Sequence, residues 1–158
     1  MTTKPPFEEV VCRFGPTVLR ACRAIVGPID GDDAWSETFL SALRAYPQLP
    51  ADANIEAWLV TIAHRKAIDV KRRTSRRAVP VADLAHHAAS GGIDDRDLDL
   101  VRSLAALPDK QRFAVVYHYL CGLPYREVAV AIGGRPDAAR RAAADGIANL
   151  RKVKGELR

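Results

Sequence analysis

The stretch AWLVTIAHRKAIDVKRRTSRR, residues 57–77, begins like a core helix and ends like a polyelectrolyte. Trp58, Leu59, Ile62, Ile68 and Val70 recur at spacings close to one helical face, which predicts an amphipathic helix with these residues turned inward. From Arg65 to Arg77, seven cations (Arg65, Lys66, Lys71, Arg72, Arg73, Arg76 and Arg77) stand against one carboxylate, Asp69. Cations suit the negative end of a helix dipole, which explains part of the run. The remaining density favours a polyanion whose condensed counterions are released on binding. A solvated helix end is the competing reading. Trp58 has the face of a base-stacking residue, but its place on the apolar stripe assigns it to packing.

Outward from this stretch, charge alternates in blocks. Lys+Arg minus Asp+Glu is +2 over 1–27, −5 over 28–56, +6 over 57–77, −3 over 78–108 and +5 over 109–158. A uniformly basic surface has no reason to alternate. Two basic blocks imply two contacts with a polyanion, and the acidic block implies a different partner. Asp30, Asp32, Asp33 and Glu37 precede an apolar run; they read either as a dipole-favoured helix start or as a docking face for a basic protein.

Nearly every long segment has helical periodicity. Val10, Val11, Phe14, Val18, Cys22 and Ile25 form one stripe, with a kink or restart expected at Gly15-Pro16. GPIDGDD, 27–33, reads as a turn ending in an Asp cap at 32 or 33, followed by a helix over 34–46 with Trp35, Phe39, Leu40 and Leu43 in one stripe. Residues 74–97 lose periodicity, and 77–97 reads as a flexible linker. Periodicity returns through LDLVRSLAAL, is broken at Pro108, and resumes. A helix over 124–132, the pair Gly133-Gly134, and a helix from 136 make a helix-turn-helix. In it, Ala138, Ala139, Ala142 and Ala143 allow close approach, while Arg135, Arg140 and Arg141 stand where a recognition helix meets the major groove. The expected architecture is all-α: two small helical domains, 1–76 and 98–158, joined by the linker.

Composition excludes other classes. With 158 residues, 48% hydrophobic and 27% charged, the chain suits a folded globular protein. No apolar run approaches the roughly 18 residues of a membrane span, so no membrane insertion is expected. MTTKPPFEEV lacks a signal-peptide core, which points to the cytoplasm. Cys12, Cys22 and Cys121 form no metal cluster, and His118 with Cys121 has no second ligand pair, so neither metal nor other cofactor is expected. His86-His87 falls in the linker, without rigid support for a metal. No triad, phosphate loop or HExxH supports catalysis, so the chain does not read as an enzyme.

Taken together the segments resemble the sigma-70 family of bacterial transcription initiation factors, in particular its small two-domain extracytoplasmic-function (ECF) group. DDAWSETFLSAL is similar to part of that family's second conserved region. AWLVTIAHRKAIDVKRR resembles its tryptophan-leucine, isoleucine-alanine, arginine-arginine signature. LAALPDKQRFAVVYHYLCGLPYREVAVAIG is similar to its fourth region. The resemblance implies RNA polymerase core as a partner through its clamp and flap regions, promoter DNA as a second, and an anti-sigma factor as a third. It assigns Asp32, Asp33, Glu37, Phe39 and Leu40 to polymerase. It assigns Asn54, His64, Arg65, Lys66, Lys71, Arg72, Arg73, Arg76 and Arg77 to the melted −10 element, and Arg135, Asp137, Ala138, Arg140 and Arg141 to the −35 duplex. Departures stand at Ser36, at Arg65, and in the recognition helix, which reads Asp137-Ala138-Ala139-Arg140-Arg141-Ala142. They imply a divergent −35 sequence or a weaker grip. They also leave open a sigma-derived regulator that no longer engages polymerase; an interaction protein whose basic stretch binds an acidic protein, without DNA contact, is a second alternative.

Overall fold

The computed structural model describes residues 3–76 and 95–156, apart from the side chains of residues 76, 95, 97, 154 and 156. Most of the 77–97 linker, with Arg77 and His86-His87, lies outside the described residues. Among the described residues every regular element is helical.

Helix α1, Phe7–Val26, runs unbroken through Pro16. Proline removes one backbone donor inside a helix. Here the indole N–H of Trp35 donates to the Gly15 carbonyl at 3.0 Å, so the neighbouring turn is tied to the next helix. Gly27, at φ 95°, then turns the chain directly into α2, Pro28–Ala45. The expected turn at 27–33 is therefore the first part of a helix, and neither Asp32 nor Asp33 caps it. Pro28 supplies the φ that a first helical residue needs. Gly31 permits the close crossing: a Cβ there would stand 2.7 Å from the Arg23 Cα.

Lys4 fastens the chain start to the far end of α2. Its ammonium donates to the carbonyls of Tyr46 (2.6 Å) and Leu49 (3.0 Å) and lies 4.4 Å from the centre of the Tyr46 ring. Helix α3, Ile55–Arg76, starts at Asn54, whose side-chain oxygen accepts from the Ala57 N–H at 3.1 Å. Its buried stripe is Leu59, Val60, Ala63, Ala67 and Val70, with Trp58, Ile62 and Ile68 only half-buried. The small residues Ala63 and Ala67 carry the contact, so the buried face is rotated from the one that the large side chains suggested. Full burial of Leu59 contributes about 2 kcal/mol.

The C-terminal half contains α4, Asp95–Ala105; α5, Asp109–Val115; α6, Tyr125–Ile132; and α7, Pro136–Glu156. After α5 the backbone widens over Val116–Leu120, where the Cys121 N–H donates to the Val116 carbonyl five residues back. Gly133 (φ 85°) and Gly134 (φ 100°) form the tight turn between α6 and α7. This is the helix-turn-helix read from the sequence. Ala139 and Ala143 are buried against it, whereas Ala138 is exposed. Gly146 lets α7 cross α5 closely, because a Cβ would fall 2.6 Å from Val115 Cγ2.

Helices α1, α2 and α3 form one bundle, and α5, α6 and α7 another. The two meet along a seam where α4 and the wide turn lie on α1, and α6 lies on α3.

Candidate functional site

The cationic end of α3 lies beside α2. Arg65, Lys71, Arg72 and Arg73 are exposed and Lys66 is half-buried. With Glu37 and Asp69, the residues Lys66, Arg72 and Arg73 line an open groove of about 490 Å³. One cation in this groove is already paired within the chain: Arg73 donates to Glu37 at 2.6 Å, a bond that raises the guanidinium's pKa. Lys71 reaches across the seam to Asp109 at 3.2 Å. Arg65, Lys66 and Arg72 have no ion-pair partner among the described residues. The side chain of Arg76 lies outside the described residues.

His64 belongs to another environment. It is 6% exposed, with its Nδ1 2.6 Å from the Tyr117 hydroxyl and the Phe113 ring edge-on at 4.7 Å. Burial, with a smaller contribution from Arg65, pushes its pKa down from 6.5 to about 4. In this arrangement His64 faces the C-terminal half and presents nothing to a nucleic acid. Its periodicity within α3 could not disclose this, because its neighbour comes from 53 residues away. Asn54 is exposed but is engaged as the helix cap described above.

On α2, Asp33, Glu37, Leu40 and Leu43 follow one another at helical spacing. Leu40 is 56% and Leu43 52% exposed. Neither joins the inward stripe expected from the sequence. Ala34, Thr38, Phe39 and Ala42 occupy the core side instead. Phe39 therefore serves packing, with ring centres 4.7 Å from Trp35 and 6.4 Å from Phe7. Asp32 is paired with Arg23 at 2.9 Å. The result is a small apolar patch with carboxylates along one side. Leu43 is the member that sequence reasoning did not select.

Arg135, just before α7, and Asp137, Ala138, Arg140 and Arg141 on its first turns are all exposed beside the glycine turn. Arg140 lies 5.4 Å from the centre of the Tyr125 ring. The His118–Cys121 pair serves packing: His118 Nδ1–H donates to the Leu123 carbonyl at 2.8 Å, and burial pushes the Cys121 thiol up to about 12. Cys22 is likewise raised to about 12 by burial. Among the described residues no cluster of three His, Cys, Asp or Glu side chains is placed to hold a metal.

Comparison with known proteins follows the same division. Residues 10–77 match the model of Sigma-70 region 2, and residues 97–150 match that of Sigma-70, region 4. The chain is 30% identical to the ECF RNA polymerase sigma factor SigD of Mycobacterium tuberculosis, over 84% of this chain and 69% of the relative. It is 32% identical to SigK of Mycolicibacterium vanbaalenii, over 84% of this chain and 73% of that one. Among solved structures, RpoE in complex with the anti-sigma factor NepR from Bartonella quintana superposes with a TM-score of 0.77 at 19% identity, covering 96% of this chain and 98% of that one. CnrH in complex with the cytosolic domain of CnrY gives 0.73 at 22% identity, covering 95% and 88%.

Proposed function

This chain belongs to the sigma-70 family, as an ECF-type RNA polymerase sigma factor, and we propose how its surfaces divide that task. The α2 patch of Asp33, Glu37, Leu40 and Leu43 docks on polymerase core. The α3 cations Arg65, Lys66, Arg72 and Arg73, with the Asn54 loop, hold the melted −10 element. The exposed start of α7 reads the −35 duplex. The observation carrying this reading is that neighbouring helices of one domain expose opposite characters, acid with leucine on α2 and arginine with lysine on α3.

The work is binding rather than bond-making. Anchoring the duplex through α7 and trapping extruded bases beside α3 offsets the few kcal/mol of unstacking, and shifts the promoter toward its open state. Cations that neutralise phosphates add affinity without sequence preference. No described helix is long and apolar enough to cross a membrane. We place the protein in the cytoplasm, where its polymerase and DNA are. The solved neighbours, one held by an anti-sigma factor, support a protein inhibitor for this chain as well.

Co-migration with core polymerase on a sizing column, followed by run-off transcription from a pooled genomic library, tests the reading. We expect a stable complex and a restricted set of start sites. Replacing Arg72 and Arg73 together by Ala should weaken DNA binding across many sequences and flatten its salt dependence. Unchanged binding would remove α3 from the DNA-contacting surface. Failure to associate with core at micromolar protein would remove the assignment of α2.

A further inference from the structure

An aromatic stack stands behind the exposed start of α7. The His118 ring lies nearly parallel to that of Tyr125, 14° off, with centroids 3.9 Å apart. The His118 Nδ1–H bond to the Leu123 carbonyl fixes that ring's orientation. Tyr119 closes the side, edge-on to His118 at 4.8 Å. Against this platform rests the Arg140 guanidinium, while its side chain remains 66% exposed. Asp137, its carboxylate neighbour on α7, is 4.0 Å away, at the outer limit of an ion pair.

Tyr125 packs against the hydrophobic core without being enclosed by it. Tyr119 is exposed and Tyr125 only half-buried, so much of the stack's surface remains open to water. A free arginine side chain loses considerable rotamer freedom when it binds. A guanidinium already resting on a ring has given up part of that freedom, and its planar N–H fork remains available. Such a fork matches the O6 and N7 acceptors of guanine in the major groove. Arg135 and Arg141 have no comparable aromatic support among the described residues.

We propose that Tyr125, itself held by His118, is a positioning residue for Arg140, and that Arg140 is the guanine-reading, specificity-determining side chain of α7. Arg135 and Arg141 serve phosphates. The inference rests on α7 being the duplex reader.

The test uses the full chain and a duplex enriched by the wild-type protein from a randomised pool. Arg140→Ala, Tyr125→Leu, their double variant and Tyr125→Phe are each titrated against that duplex and its single-base changes. Tyr125→Leu should lower discrimination at one G·C pair by about 5-fold, the scale of one cation–π contact. Tyr125→Phe should retain discrimination, and Tyr125→Leu should add nothing once Arg140 is Ala. A loss spread evenly over all bases, or additive with Arg140→Ala, overturns the positioning role. His118→Gln, which removes the stacked ring, decides the matter should Tyr125→Leu fail to fold: it should lower discrimination at the same base pair, and unchanged discrimination overturns the proposal. If replacing Arg135, Arg140 and Arg141 together by Ala leaves duplex binding intact, the assignment of α7 itself falls, and the inference with it.

Discussion

His64 Nδ1 on α3 and the Tyr117 hydroxyl beyond α5 share a hydrogen bond of 2.6 Å inside the seam between the two helical bundles. The contact places a titratable group of the N-terminal bundle under the control of the C-terminal one. Around it stand the Phe113 ring, Arg65 and the buried Cys22 and Cys121 thiols.

The sign of the pH effect follows from the imidazole being held neutral. In the folded seam its pKa is about 4, against 6.5 when exposed. As pH falls below 6.5 the open or unfolded chain takes up a proton that the closed seam refuses. Stability is therefore complete above 6.5 and declines as pH falls toward 4, by up to about 3 kcal/mol. Urea denaturation between pH 7.5 and 4.5 should show this slope, and His64→Gln should flatten it. An unchanged slope in His64→Gln would assign the effect to other groups.

Asp109 accepts from Lys71 and from Arg112 on the same oxygen. The two donors differ in burial, since Arg112 is 5% exposed and its Nε has no partner among the described residues. Lys71→Ala, which removes an exposed pair, should cost less than about 1 kcal/mol. Asp109→Ala leaves a buried guanidinium further unsatisfied and should cost about 2–3 kcal/mol. Equal costs in chemical denaturation would contradict this ranking.

Gly31 and Gly146 sit inside helices, where Ala has the better propensity by about 1 kcal/mol. Both Gly→Ala changes should nonetheless destabilise. At Gly31 the obstacle is Arg23 backbone, with N at 2.8 Å and Cα at 2.7 Å, so neither side can yield cheaply. At Gly146 it is a valine methyl at 2.6 Å, and Val115→Ala should rescue much of the loss. A cost of about 2–3 kcal/mol at Gly31, and less at Gly146, is expected from overpacking. A higher melting temperature in either variant would refute the close approach.

Leu40→Ser with Leu43→Ser separates docking from folding. Exposed substitutions of this kind change stability by about 0.5 kcal/mol or less each. Central apolar anchors of an interface cost far more, so association with core polymerase should weaken by about 10-fold or more. Retained association would move the polymerase contact off this face of α2.

The sequence alone determined the all-α class, the α6–glycine–α7 unit, the amphipathic α3 and the order of charge blocks. Helical periodicity, glycine turns and charge density are local properties, readable within one or two turns. Tertiary structure decided which face each neighbour covers. Leu40 and Leu43 turn outward because small α2 residues, Ala34 and Ala42, fill the core side. α2 begins at Pro28 because Gly31 can lie against Arg23, a contact that no Asp-rich turn pattern announces. His64 and Lys71 pair with Tyr117 and Asp109, 53 and 38 residues away. Periodicity reports that a face is apolar or charged. The partner meeting that face comes from elsewhere in the chain, and only the packed fold brings the two together.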